Sequence, residues 1–570
     1  MALQPILVRL SRGQSADGLQ LSYSYLDDLI LAGEQHAVAH AFQFVKEKAS
    51  EIGLEFNSSK CEVIPTAGLD SSIEKALFPS DIIFRSDGNF ELLGGPIGTD
   101  SFCNGHTQER VEKAKEILKA LGELPDPQVA LTLLRHCASF GKLVFSLRVV
   151  PHRKHSDALR DFDCAVRDCI ESFLCCSFSD SEWSLASLST KMGGLGVRNT
   201  EQHSSAAFLA SQSACKDLCK KLDPSYVTNP VNQWTDCHSA IADYNTKVAL
   251  PDVLNINAES CPRQQVLSHN IDRNTLKSLK EGEASNKYLK AHLNLTTASG
   301  AGSWLNVIPS KALGTHVDPE IYRTMVQRWL RVPIFQSAFH CPMCDNIVDV
   351  FGDHCLTCSC GGDRTRRHNL LRNEVYYICN SAGLHSELEK PGLLQPRPNS
   401  GAVQESGSSR SSDGNRRPAD VYLPRWQRGT PAALDLAVTS GLQADMVDRS
   451  SEDAAAATTS YEDLKRSHLD TENKCRDDGL TFIPIVVEAD GGGWGKAAHQ
   501  VWSELAKRKA IIAGERDSTM VSRILQSLGI ILHKENARSI LRRMPRSVGR
   551  ECLEQLAASA VCTNEQQPLG

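Results

Sequence analysis

Cys341-Pro342-Met343-Cys344 and His354-Cys355-Leu356-Thr357-Cys358 set out a Cys-x₂-Cys pair, nine intervening residues and a His-x₃-Cys pair. Taken as Cys341, Cys344, His354 and Cys358, the spacing brings two ligands from a tight turn and two from a helix start around one tetrahedral Zn²⁺. Four protein ligands leave no open position, so such a site is structural. His340, Cys355 and Cys360 compete for the assignment, and a cluster of unpaired buried thiols is the rival reading. Carboxylates offer the other chemistry. Tyr25-Leu26-Asp27-Asp28-Leu29 places adjacent acids between short apolar runs rich in β-formers, a hairpin with Asp27 and Asp28 at its bend. Adjacent carboxylates repel, and hard oxygens facing one point suit Mg²⁺ (or Mn²⁺) held together with substrate phosphates. A turn that merely contains two aspartates is the plainer alternative. Further on, Asp420 opens the strand Asp420-Val421-Tyr422-Leu423, and Asp435 sits inside the apolar run Ala432-Ala433-Leu434-Asp435-Leu436-Ala437-Val438-Thr439. A charge within a buried strand is costly unless paired, and two hairpin-related strands bring Asp420 and Asp435 onto one cation.

The elements that must position these groups follow from periodicity. From His36 to Ile52, Val38, Phe42, Val45, Ala49 and Ile52 share one helical face, and Gly53 stops the helix. Gly53 to Ile64 reads as an edge-strand pair with Lys60 at its turn, and Phe90 to Gly98 as a strand running into a Gly/Pro turn. Residues 101 to about 330 read as helical. Val111, Ala114, Ile117, Leu118 and Leu121 form one stripe closed by Gly122, and Leu131, Leu134, Cys137, Phe140, Leu143 and Val144 form another. Ser299 to Leu305 is a loop before a buried tryptophan. Gln395–Arg417, rich in Pro, Ser, Gly and Arg, and Asp445–Ser460, acidic and then Ala/Thr-rich, read as flexible insertions. Thr481 to Glu488 is a further apolar strand.

At 570 residues the chain calls for several domains. No apolar run reaches membrane-spanning length, and Arg9 and Arg12 follow the short apolar N-terminus instead of preceding it, the wrong polarity for a signal peptide. Twenty cysteines without a secretory signal imply thiols and metal ligands in a reducing, intracellular compartment. The net charge of −6 argues against tight non-specific nucleic-acid binding, although Arg148 to Arg160 and Arg364 to Arg372 are locally basic.

The order of acidic hairpin, amphipathic helix, Gly-Leu-x-x-Asn-x-x-Lys turn and Leu-Gly-x-Pro-Ile-Gly resembles the palm of non-LTR retrotransposon reverse transcriptases. The resemblance implies that Asp27 and Asp28 hold catalytic metals and that Lys60 belongs to the same site. It also implies an earlier strand with another metal-binding aspartate. Leu3-Gln4-Pro5-Ile6-Leu7 looks like the tail of a second, Gly-rich element, and Asp17 is the only acid upstream of the hairpin. The expectation is therefore an N-terminally truncated palm without polymerase activity.

The Cys-Cys-His-Cys knuckle and Arg366-Arg367-His368-Asn369 resemble one branch of that family, in which a restriction-like endonuclease follows the knuckle. Trp183 to Leu188 with Met192 to Arg198, and Thr481 to Glu488 with Gly491-Gly492-Gly493-Trp494-Gly495, are similar to later parts of the same proteins. Arg416-Arg417-Pro418-Ala419-Asp420 with the Asp435 strand resembles a PD-(D/E)xK nuclease core, with Ala437 where its lysine normally stands. In retroelement nucleases a lysine on a later helix takes that role, which points to Lys465, with Lys474 as second choice and Glu374 as an upstream acid. The resemblance thus implies an α+β multidomain chain: a partial palm (1–100), a helical thumb and linker (101–335), a zinc knuckle (336–375) and an α/β PD-(D/E)xK-like domain (376–550). It implies an RNA-directed DNA polymerase and endonuclease acting in the nucleus on an RNA template and target DNA, using Mg²⁺ or Mn²⁺ and Zn²⁺, with no membrane and no small-molecule cofactor. A non-catalytic nucleic-acid-binding derivative is the second expectation, favoured by the acidic balance and the absent palm aspartate. A fragment of a longer element is the third.

Overall fold

The computed structural model describes residues 5, 6, 8, 10, 19–26, 28–65, 73–222, 235–255, 260–282, 285–394 and 418–545. Asp17, Asp27 and the 395–417 stretch lie outside the described residues. The architecture is mixed α+β, about 58% helical, with small sheets. Among the described residues the strands form four two-stranded pairs and one four-stranded sheet. The chain divides into two compact units, Met1–Glu109 with Arg153–Ala158, and Arg110–His152 with Leu159–Gly570.

In the first unit, β1 (Leu19–Tyr25) and β2 (Asp28–Gly33) make the antiparallel hairpin expected from the sequence, with Tyr25 opposite Asp28. Helix α1 (Gln35–Glu51) packs Ala37, Ala41 and Val45 against Leu19, Leu29 and Leu31 of the hairpin. Its Ala39 turns to a second cluster with Phe78 and Ile82, so α1 is covered on more than the one face that the spacing marks. Ile52 falls beyond the helix and is exposed, and Gly53 takes a φ of +79° where the helix ends. The strand pair expected around Lys60 does not form. Lys60 closes a 3₁₀ turn (Ser58–Lys60), and the following β3 (Glu62–Val63) pairs in parallel with β4 (Ile83–Phe84). Long-range pairing replaces the local hairpin that composition suggests. β5 (Phe90–Leu92) and β6 (Gly95–Ile97) form a hairpin about Leu93 and Gly94.

In the second unit, the described residues between 110 and 330 are predominantly helical, as expected. Of the first stripe, Val111, Ala114, Leu118 and Leu121 of α2 (Asp100–Gly122) are buried and Ile117 is exposed. The second stripe is not one helix. A π-helical turn at Leu134–Ala138 and a non-helical Ser139 shift the register, so Leu134, Ala138, Leu143 and Leu147 are buried while Cys137 is exposed. The 299–305 loop proves to be a 3₁₀ helix (Ala301–Asn306) that buries Trp304. Its indole packs against Trp329 of α3 (Pro319–Trp329) at 5.8 Å and against His533 at 4.9 Å between ring centres. A short hairpin, β7 (Phe339–His340) with β8 (Ile347–Val348), then leads into α4 (Asp353–Thr357) and α5 (Asp363–Ser381).

The main sheet has the order β12-β11-β10-β9. β9 (Glu387–Leu388), β10 (Val421–Leu423) and β11 (Ala432–Thr439) run antiparallel in turn, and β12 (Thr481–Glu488) lies parallel to β11 from Ala432 opposite Thr481 to Thr439 opposite Glu488. A parallel pair needs a long crossover, and here it is helical: α6 (Val447–Ser450), α7 (Ala456–Ser467) and Thr471–Asp477. The expected flexible insertion at 445–460 is therefore ordered. Val447 packs with Ala291, Leu295 and Leu442, and the Asn294 side chain donates to the carbonyls of Ser450 (3.0 Å) and Ser451 (2.6 Å). Its Ala and Thr residues are small enough to pack closely, so Ala456, Ala457 and Thr458 are buried.

Strand alternation sorts the faces of β11. Leu434 and Leu436 join the core made with Leu371 and Val375 of α5, Trp502 of α8 (Lys496–Ala513) and Leu528 of α9 (Asp517–Leu541). Ala433 faces Cys475, Leu480 and Phe482 on the other side, which sends Asp435 to that side as well. Trp502 is fully buried at the centre of the larger core. Trp502→Ala is expected to destabilise the fold by about 3–5 kcal/mol, read as a lower midpoint in denaturant unfolding followed by circular dichroism.

Candidate metal centre and carboxylate site

The knuckle is built from very local structure. The β7/β8 hairpin is closed by Cys341 N–H donating to the Asn346 carbonyl at 2.8 Å, which fixes the turn that carries Cys341 and Cys344. Gly352, at a φ of +75°, turns the chain into α4, where Asp349 accepts from His354 N–H at 3.2 Å. His354 lies in the first turn of α4 and Cys358 just past its end, so the second ligand pair spans the helix rather than sharing its start. The ligand atoms of Cys341, Cys344, His354 and Cys358 all lie within 4.8 Å of one another. Cys344 Sγ is 3.2 Å from His354 Nε2 and 3.6 Å from Cys358 Sγ. A tetrahedral Zn²⁺ with bonds of about 2.3 Å to sulfur has edges of roughly 3.8 Å, so three thiols and one imidazole at these separations fit zinc with little adjustment.

The competing residues fall away on geometry. His340 is exposed and its Nδ1 faces the Asp345 carbonyl. Cys355 is buried among Val348, Leu356 and Ile540, and that burial pushes its thiol up to about 12. Cys360 offers its carbonyl to Arg543 Nη2 at 3.0 Å. Burial works against ionising Cys358, but Arg543 and the Cys360 backbone outweigh it and hold the thiol below its ordinary value.

The second site lies on the sheet. Asp420 Oδ2 accepts from Leu436 N–H at 2.7 Å, and its Oδ1 accepts from His368 Nε2 of α5 at 3.2 Å. Lys465 Nζ of α7 lies 3.1 Å from Asp435 Oδ1 and 2.9 Å from its Oδ2. Burial pushes the Asp435 carboxyl up to about 6, with the Asp420 charge adding to the effect and Lys465 opposing it. Burial also works against the Lys465 ammonium, but Asp435 more than compensates and the lysine is raised. Lys474 instead donates to the Leu469 carbonyl at 2.7 Å. Glu374 accepts from Ser527 Oγ and, with Lys509 and Arg523, lines a cavity of about 430 Å³ between α5, α8 and α9.

Among the described residues, the knuckle is the one set of three or more His, Cys, Asp or Glu groups drawn within 4.8 Å. Asp420, Asp435 and His368 are held more loosely, each carboxylate already engaged by a donor. His368 carries no sign in the sequence that it meets an aspartate 52 residues later. In the first unit, Asp28 opens β2 and is exposed, as is Lys60, and no hydrogen bond or ion pair joins the two among the described residues. No model of a known protein family and no curated protein matches the chain.

Purified, reduced protein is expected to carry about one Zn²⁺ per chain. Cys341→Ser with Cys344→Ser should release the metal, whereas Cys355→Ala should retain it. Metal analysis of the folded variants checks both, and loss of zinc in Cys355→Ala would reassign the ligand set.

Proposed function

We propose that the C-terminal part of the chain nicks DNA with the help of a divalent cation, in the manner of the restriction-like nucleases of non-LTR retrotransposon proteins, with the zinc knuckle as its structural neighbour. The observation that carries this reading is the joining of Asp420, Asp435 and Lys465 on one side of the sheet by three separate elements. Asp420 and Asp435 would hold Mg²⁺ or Mn²⁺, which supplies a polarised scissile phosphate and a hydroxide nucleophile at neutral pH. Lys465, now neutralising Asp435, is placed to meet negative charge that develops on phosphate once a cation takes over the carboxylate. Its origin on α7 answers the lack of a lysine at Ala437. His368 and the Leu436 amide orient Asp420.

On the same reading the first unit is part of a reverse-transcriptase palm, with Asp27, Asp28 and Lys60 at its polymerase site, and the partners are an RNA template and target DNA in the nucleus. A second reading, a nucleic-acid-binding derivative without catalysis, is favoured by the lack, among the described residues, of any three ligand groups within 4.8 Å of one another at Asp420 and Asp435.

Nicking of supercoiled DNA at low ionic strength with Mg²⁺ or Mn²⁺ is the test. Asp420→Asn, Asp435→Asn and the double variant should all lose activity to a similar degree, because groups sharing one metal act as a unit. Lys465→Ala should lower turnover by about 10²-fold, as for other donors that stabilise transition-state charge, and Lys474→Ala should stay close to wild type. Nicking unchanged by Asp435→Asn would refute the nuclease reading. No nicking, with DNA binding intact in the aspartate variants, would establish the second.

A further inference from the structure

Residues 536–550 contain five arginines, Arg538, Arg542, Arg543, Arg546 and Arg550, and no acid, in a chain of net charge −6. A second basic stretch, Arg364 to Arg372, lies some way back in sequence. The fold sets the two side by side, with α5 packed along the C-terminal half of α9: Glu535 accepts from Arg366 Nε at 2.8 Å and from Arg538 Nη1 at 3.4 Å. Arg367 and Arg543 are buried and serve the packing, Arg367 donating to Asn536 at 2.6 Å and Arg543 to Asp363 at 2.7 Å.

Among the described residues, Arg366, Lys534, Arg538 and Arg542 keep part of their side chains at the surface. Lys534 and Arg538 follow one another at i and i+4 along α9, and Arg542, a further four residues on, caps its C-terminus, in steps of about 6 Å. Arg366 flanks them from α5 with about half its side chain exposed. Among the described residues, the acids paired with these arginines, Glu535 and Asp363, are 6% and 8% exposed, and each is shared by two arginines. Positive charge is thus left in excess at the surface while the negative charge is drawn inside.

We propose that this face of α5 and α9, beside the knuckle, binds the phosphate backbone of duplex DNA. Rows of arginine and lysine at such spacing meet successive phosphates and carry no base readout. The choice of duplex DNA rests on the nuclease reading, since α5 also carries His368 against Asp420 two residues after Arg366. The surface itself does not depend on that reading.

Binding is measured in the Asp435→Asn background without added Mg²⁺, so that cleavage plays no part, by fluorescence anisotropy with a short labelled duplex and a single-stranded RNA of equal length. Lys534→Gln, Arg538→Gln and Arg542→Gln together should weaken duplex binding about tenfold or more at low ionic strength. They should also flatten the slope of log affinity against log salt by about 0.9 for each phosphate that is no longer neutralised. Lys509→Gln, on the far end of α8, should change neither. Should the triple variant fail to fold, judged by circular dichroism and retained zinc, Lys534→Gln alone tests the same face, as Lys534 pairs with no acid among the described residues. A smaller loss in the same direction is then expected. Unchanged affinity and salt slope in a folded variant, loss of RNA binding alone, or no duplex binding by the parent would each overturn the proposal. Loss of binding in the variants together with no nicking by the wild type would uphold the surface and sink only the nuclease reading.

Discussion

A buried ion network at Arg328 holds the second unit together. Arg328, at the end of α3, donates to Asp353 at the start of α4 (2.9 Å) and to Asp490 just beyond β12, and Arg331 grips Asp353 through two hydrogen bonds of 2.7 Å. Arg328 is 5% exposed and Asp490 1%. Burial opposes the charge on both Arg328 and Asp353, yet the partners outweigh it, so the arginine is raised and the aspartate held below the usual carboxylate range. The neighbouring groups are pushed toward their uncharged forms. Burial and Arg328 push His533 down to about 3, and burial with Arg331 pushes His292 down to about 4. Burial and the Asp490 charge push Glu488 well above its ordinary value. Removing one member of such a network leaves an uncompensated buried charge, which costs about 3–5 kcal/mol.

That network fixes the end of the sheet, and the sheet end fixes the carboxylate site. Asp490 accepts from Ser440 Oγ at 2.6 Å, and Glu488 accepts from the Gly441 and Gly491 amides at 2.9 and 2.6 Å, so the strand ends of β11 and β12 are clamped in register. Asn536 of α9 then donates to the Ala489 carbonyl at 2.8 Å and accepts from Arg367 of α5. One turn of α5 therefore has its place set through α9 and the sheet end, and His368, the next residue along, meets Asp420 as a consequence. Zinc would sit on the same framework, because Asp353, held by both arginines, immediately precedes His354.

What is legible in the sequence is what short-range geometry dictates. The knuckle's ligands are 17 residues apart at most, and a hairpin with one short helix gathers them. The strand that bears Asp435 is readable from an apolar run interrupted by a single acid, and β10 begins one residue after Asp420, which the sequence places at its start. Lys465 is singled out only through the family resemblance, and its approach to Asp435 depends on a helical crossover that no local pattern specifies. The failures share one cause. Composition puts Lys60 at a local hairpin, but Glu62–Val63 finds a better partner in Ile83–Phe84. Residues 445–460 read as flexible because Ala, Thr and Asp dominate them, yet Val447 packs with Ala291 and Leu295, and Ala456, Ala457 and Thr458 are buried. His368 acquires its role through tertiary contacts alone.

Charge follows the same logic of place over composition. A net charge of −6 argues against a nucleic-acid partner, but at about 0.1 M salt exposed charges are screened beyond roughly 10 Å. A phosphate therefore responds to the face it touches and not to the chain's total. Near the knuckle the acids that would cancel that face, Asp363 and Glu535, are turned inward to secure α5 to α9, and of the arginines they hold Arg366, Arg538 and Arg542 reach the surface while Arg543 stays buried. Buried carboxylates thus do two things at once: they lock the helices that support Asp420 and Cys358, and they aim cationic side chains outward, which makes the basic character of this face a product of the packing that stabilises the site.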